Sequence, residues 1–221
     1  MMMNYWKPNS NLRVVLMKRY FIVLLLFALG SCTAVRVVTH SPSSDATKAP
    51  AGLYEVDPDH QSLIFSVGHL GFSRFIGRFD HWTAQLDFNP QEPDGSALMV
   101  EIDAASLSTS SQTMTDLVQG TDMLDIETYP KIHFKIEDIQ LTGETSGDAT
   151  GILTMAGQSH PVHLNIEFNG GGRNPLSPYY TLGFTAKGVL NRRDFGLNAW
   201  PIVVTNEVEF EINVEFRQPL S

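Results

Sequence analysis

The groups that could do chemistry in this 221-residue chain are seven histidines, a run of mixed polar residues at 191–194 and a single cysteine. His69 lies in SVGHLGFSRFIGRFDHW, residues 66–82, among glycines and aromatics. An imidazole there could act as a general base, bind a metal or hydrogen-bond a ligand. The sequence places no second metal ligand beside it. His160 and His163 are three apart in a strand-like run and point to opposite sides, and His133 and His163 fall on polar faces. His81 could turn either way. Asn191, Arg192, Arg193 and Asp194 form the second cluster. An arginine could pair with Asp194 and pin a turn, or the group could line a mouth and meet a polar head group. Nucleophilic catalysis is poorly supported: Gly157-Gln158-Ser159-His160 comes nearest to G-x-S-x-G and lacks the second glycine. The carboxylates at 207, 209, 211 and 215 share a solvent face, and no phosphate loop is present. No catalytic residue and no metal site is assigned, and no enzymatic activity is expected.

Cys32 has another use. Lys18 and Arg19 precede the apolar run YFIVLLLFALGSC, residues 20–32, which has the layout of a secretory signal. The run is shorter than the ~20 residues that span a bilayer. Leu29-Gly30-Ser31-Cys32 resembles the bacterial lipobox, so residues 1–31 are expected to be a lipoprotein signal peptide and Cys32 the lipidated N-terminus. Met17 is an alternative start. Losing residues 1–31 removes Lys7, Arg13, Lys18 and Arg19 and no acid, so the net charge moves from −9 to −13. Such a chain is unsuited to nucleic acid and is not held on anionic lipid by charge. Acyl chains on Cys32 would hold it at a membrane, on the periplasmic side of the envelope and most simply at the outer membrane. Residues 32–52 read as a flexible tether and residues 53–221 as one domain.

The elements that must position these groups have a period of two. Ile202, Val204, Val208, Phe210, Ile212, Val214 and Phe216 share one parity, interrupted by Asn206. Thr205, Glu207, Glu209, Glu211, Asn213, Glu215 and Arg217 take the other. Residues 98–104, 132–136, 162–168 and 180–186 repeat the pattern. Asn89-Pro90, Asp94-Gly95, Ser146-Gly147, Asn169 to Gly172 and Asn174 to Pro178 read as turns. Residues 112–126 are the one short helical segment. Leu63, Phe65, Val67 and His69 share a face, as do Phe75, Gly77 and Phe79, yet Trp82, Ala84, Leu86 and Phe88 sit on the opposite parity. A bulge near Asp80-His81 accounts for the slip, and Gly71 suits a turn. The expected fold is all-β: an antiparallel sheet closed on itself so that no edge is left.

At these residues the chain resembles the YceI-like family. The likeness rests on Tyr54-Glu55-Val56-Asp57, Asp59-His60-Gln61-Ser62, F-x-V-x-H at 65–69 and G-x-F at 77–79. It continues through TYPKIHFK (128–135), GILTMAGQSHPVHL (151–164) and GVLNRRDFGLN (188–198), with N-R-x-D-F-G-L the most specific part. The resemblance implies a lipocalin-like, eight-stranded antiparallel β-barrel that binds a long isoprenoid lipid or quinone inside, with no established catalysis and a link to stress responses. Family members carry R-D-x-H-L before the YP motif. Here Met114 to Val118 lacks the Arg and His, so contacts that depend on them do not carry over. The residues expected to meet ligand are Phe65, Val67, His69, Phe75, Phe79, Trp82, Phe134, Phe184, Asn191 and Arg192. No cofactor beyond a bound isoprenoid lipid or quinone is expected. The expected partners are that lipid and, through Cys32, a membrane. The oligomeric state, a homodimer included, is left open. The rival readings are an envelope interaction or stress module with a packed core, and an enzyme acting on a lipid or quinone around His69.

Overall fold

The structure, a computed structural model, describes residues 40–220. The signal segment, Cys32 and the first part of the expected tether lie outside these residues. Ten strand segments are present: β1 (Gly52–His69), β2 (Ser73–Phe79), β3 (Trp82–Phe88), β4 (Ala97–Asp103), β5 (Leu107–Thr109), β6 (Lys131–Leu141), β7 (Ser146–Met155), β8 (Gln158–Arg173), β9 (Tyr179–Asn191) and β10 (Val204–Pro219). The helix α1 spans Gln112–Gln119. Every strand pairs antiparallel with its neighbour, and β10 pairs back onto β1, which closes the sheet.

The ten segments make eight staves. β2 and β3 both pair with β1 and are separated only by Asp80 and His81. Phe79 and Trp82 are both buried despite opposite parity, so the expected slip is there. β4 and β5 are likewise one stave, broken by a 3₁₀ turn at Ala104–Ser106. The result is the closed eight-strand antiparallel barrel, with one α-helix among the described residues.

Because the staves alternate direction, the connections fall at two rims. The upper rim holds the β1–β2 hairpin, the 104–130 segment with α1, the 156–157 turn and residues 192–203. The lower rim holds residues 89–96 and 142–145. At the β1–β2 hairpin, Leu70 and Gly71 both have positive φ (49° and 74°), and the Phe72 N–H donates to the His69 carbonyl at 2.9 Å. That is a tight turn at the expected place.

Five expectations change, the smallest being that Ser146-Gly147 opens β7 and the turn lies at 142–145. Asn169 to Gly172 is not a turn but part of β8, which carries a register shift between Phe168 and Gly170. Glycines absorb the irregularity, with Gly170 at φ 138°. The helix stops at Gln119 because Gly120, with ψ 171°, is no longer helical. Residues 42–52 do not behave as a tether. Ser43 bridges to Gly171, residues Ala46–Lys48 form a 3₁₀ turn capped by Asp45, and Ala49 is buried. The fully buried Tyr54 donates its hydroxyl to the Pro50 carbonyl at 2.8 Å, and burial pushes that phenol up to about 12. Finally, Ile202 does not join the dry face of the last strand. It is 88% exposed, because the chain is still in a turn there and β10 begins at Val204.

Candidate functional site

The barrel is hollow. A cavity of about 770 Å³ runs between the rims, within the usual range of about 300–1,000 Å³ for ligand sites. The middle of its wall is apolar, lined by side chains such as Phe79, Trp82, Val100, Ile132, Leu164 and Val214. Polar lining residues collect at the ends: His69 and Arg192 near the upper rim, and Asp45, Gln91 and Glu144 at the lower.

Glycines explain how so aromatic a wall leaves space. Gly77 pairs with Phe65, and a β-carbon on it would run into the Phe65 ring. Gly188 stands in the same relation to Phe210, and Gly151, which pairs with Ile136, meets the Phe134 ring diagonally. Each ring therefore lies down into a glycine notch and follows the wall instead of crossing the lumen. From sequence, Gly77 suits a tight turn or a close approach; in the barrel it is a close approach, a seat for a ring. A second aromatic group packs around Phe184 toward the lower end, edge-on with Phe88 and Phe216 and tilted with Phe168, with centroids 5.3–6.4 Å apart.

Nine of the ten residues expected to meet ligand line this cavity: Phe65, Val67, His69, Phe75, Phe79, Trp82, Phe134, Phe184 and Arg192. Asn191 is not among the lining residues. It is exposed, and its Oδ1 accepts the Arg193 N–H at 3.1 Å, which caps the 3₁₀ turn Arg192–Phe195. The short polar side chain at the strand end is consumed by the cap.

Arg192 does not pair with Asp194. It is 2% exposed. Its Nε donates to the Thr205 carbonyl at 3.0 Å, and its Nη1 donates to the Ala199 carbonyl at 2.8 Å and to the Leu197 carbonyl. Three backbone carbonyls thus hold a cation with no carboxylate partner, and Nη2 has no hydrogen bond. Burial, with help from neighbouring Arg193, lowers its pKa. The guanidinium knits residues 197–205 into the upper rim.

The other polar groups are accounted for on the outside. Arg74 pairs with Glu209 at 2.7 Å and Arg78 with Asp80 at 2.6 Å, both exposed. His81, His133 and His163 are exposed, and His160 packs edge-on against Phe195. Asp57, His60 and Glu215 come together beside the β1 bulge. Asp57 is already engaged by Arg217 and His60, each at 3.2 Å.

Sequence reasoning missed the contribution of α1 and the upper turns. Met114, Leu117 and Val118, at helical spacing i, i+3 and i+4, line the cavity, as do Trp200 and Val203. The helical period was legible; which face met the lumen was not.

A family model described as a YceI-like domain matches residues 54–216. A UPF0312 protein of Pseudomonas savastanoi pv. phaseolicola is 32% identical over 172 residues, covering 77% of this chain and 88% of the relative. Among solved structures, a Campylobacter jejuni YCEI protein is 28% identical with a TM-score of 0.62, covering 68% of this chain and 89% of that one. Burkholderia cenocepacia BcnA shares the fold at 22% identity and TM-score 0.66, covering 72% of this chain and 98% of that one. So does a polyisoprenoid binding domain from Saccharophagus degradans implicated in plant cell wall breakdown, at 14% identity and TM-score 0.54, covering 77% of this chain and all of that one.

Proposed function

The chain belongs to the YceI-like family, and from that premise we propose that its barrel binds a long isoprenoid-type lipid, a polyisoprenoid or a quinone, and sequesters or carries it in the bacterial envelope. The observation that carries this reading is the hollow apolar cavity of about 770 Å³. A likeness in fold to a polyisoprenoid binding domain supports it. Dry surface is all that a hydrocarbon tail requires. Burying a CH₂ contributes about 0.8 kcal/mol, so a five-carbon isoprene unit contributes on the order of 3 kcal/mol before the costs of association.

The tail would run along the Phe65, Phe79, Trp82 and Phe134 wall. His69 and Arg192 would meet an acceptor on the head group at the upper end. Arg192 supports this with an Nη2 that has no hydrogen-bond partner. The protein acts as a binder and not as a catalyst in this reading. Acylation of Cys32 would tether it to the periplasmic face of a membrane. Labelling with a fatty-acid analogue, compared between wild type and Cys32→Ser, tests the tether.

Lipid extraction and native mass spectrometry of the purified protein test the main proposal. The expected result is one equivalent of an apolar polyprenyl species that leaves on unfolding. A ligand-free barrel whose melting temperature does not respond to added quinone or polyprenol would overturn it, and would favour the envelope interaction module.

A further inference from the structure

One side of the upper rim is unlike the rest of the surface. Residues 67–73, VGHLGFS, and 195–206, FGLNAWPIVVTN, contain no Asp, Glu, Lys or Arg, in a chain of net charge −9. These two segments adjoin, because the Leu70 N–H donates to the Val203 carbonyl at 3.0 Å. Their apolar side chains point outward: Phe72 is 87% exposed, Ile202 88% and Leu70 51%. A contiguous exposed apolar patch marks an interaction surface.

Two bulky residues of these segments have a strained backbone. Leu70 and Trp200 both have positive φ, 49° and 51°. Bulky residues rarely adopt that region, and such strain collects at functional sites.

Three features choose a bilayer over a protein as the occupant. First, the patch is continuous with the lumen. Trp200 and Val203 are more than a third exposed and also line the cavity, and Met114 and Leu117 do the same from α1. A flat protein partner has no use for an apolar path into a barrel, whereas a lipid phase is continuous with one. Second, much of the backbone here is ready for an apolar medium. The N–H groups of Leu70, Phe72, Val203 and Val204 donate to carbonyls within the rim, and Pro201 has none. Unsatisfied donors are what hydrocarbon penalises most. Third, the mix of Trp with Phe, Ile and Leu in two adjoining segments without charges suits the boundary between head groups and acyl chains.

We propose that the upper rim docks on a lipid bilayer, with Leu70, Phe72 and Ile202 entering the acyl boundary and the cavity mouth opening between them and α1. The docking deepens the lipid-binding reading, since it delivers the mouth to the phase in which an isoprenoid lipid is dissolved. It also distinguishes the rim from a Cys32 anchor, which would tether the chain without orienting it.

The test is a fluorescent reporter that does not line the cavity. Phe72→Trp is introduced into the full chain together with Trp6→Phe and Trp200→Phe, and the emission of the same chain with Phe72 retained, in which Trp82 is the one remaining indole, is subtracted. Phosphatidylcholine vesicles with acyl chains brominated near the head group are added. The expected result is strong quenching of the emission from position 72, with acrylamide access reduced several-fold on addition of unbrominated vesicles. Adding Leu70→Asp and Ile202→Asp should abolish the quenching while the circular dichroism and melting temperature stay those of a folded barrel; Asp tolerates the positive φ at position 70. Position 72 remaining open to acrylamide and unquenched on vesicle-bound protein overturns the proposal. So does quenching that persists in the aspartate variant. A dimer in sedimentation that the two aspartates dissociate, without vesicle quenching, assigns the rim to a second copy and also overturns it. Native mass spectrometry on the same samples separates the two readings: quenching by a barrel that never carries lipid leaves docking standing and removes the ligand, and lipid retained by an unquenched barrel does the reverse.

Discussion

Arg192 shows how a residue conspicuous in sequence can be assigned the wrong partner. The N-R-x-D motif invites an ion pair, yet the guanidinium turns inward to three backbone carbonyls, two in the following turn and one at the start of β10. Removing it leaves buried acceptors without donors, at about 1–3 kcal/mol each. Arg192→Met is expected to lower stability by on the order of 3 kcal/mol in urea unfolding, and Arg192→Lys to recover little, because an ammonium cannot span the fork. An Arg192→Met barrel as stable as wild type would refute the pin. His60 makes a second prediction. Its pKa is raised, chiefly by the hydrogen bond to Asp57 and then by Glu215. For Asp57, burial works upward, but the Asp59 N–H, His60 and Arg217 together bring its pKa below the usual value. A raised histidine contributes stability that is fully present below its unfolded pKa of about 6.5 and is lost as pH rises through the higher folded value. A lowered carboxylate contributes above its unfolded pKa of about 3.9 and loses that contribution as pH falls through the folded one. Urea midpoints are therefore expected to decline from about pH 6 toward pH 8, and His60→Gln to flatten that decline; an unchanged slope would remove the pair from the account.

Among the elements, the staves owe their shape to glycines as much as to apolar residues. Gly77 and Gly188 make the point by contrast. A β-carbon on Gly188 would meet the Phe210 ring and also the His163 carbonyl oxygen at 2.6 Å, which is backbone. On Gly77 the three nearest atoms all belong to the Phe65 ring, and a ring can swing. Gly188→Ala is expected to lower the melting temperature markedly. Gly77→Ala is expected to leave the barrel folded while Phe65 turns into the lumen, so that co-purifying lipid declines with little change in melting temperature. Equal losses of stability in both would contradict the distinction. The period of two made the staves legible, and the parity slip at Asp80-His81 located the bend between β2 and β3. The glycine-rich run in β8 misled because glycines signal turns more often than bulges. The role of α1 stayed hidden because a helical period states which residues share a face, and not what that face meets.

At the scale of the molecule, one barrel joins three things: a closed sheet, an apolar lumen and an uncharged apolar patch on the upper rim. Each follows from a different kind of information. Alternation, turn residues and motifs along residues 54–216 determined an antiparallel barrel and the family, because side-chain period and backbone geometry are local properties that sequence records directly. The inward parity of Phe65, Val67, His69, Phe75 and Phe79 was determined in the same way, and so were the absence of a G-x-S-x-G motif and the strongly acidic balance. Whether that inward face was packed or hollow could not be read from parity. Volume depends on how rings from different staves settle, and only the register that sets Phe65 on Gly77 and Phe210 on Gly188 decided it. The rim is the same case. Leu70 and Trp200 are 130 residues apart in the chain, and closure of β10 onto β1 is what makes their turns neighbours. Tertiary structure alone turned two short uncharged segments into one surface around a mouth, because a surface is made by contacts that no stretch of sequence contains.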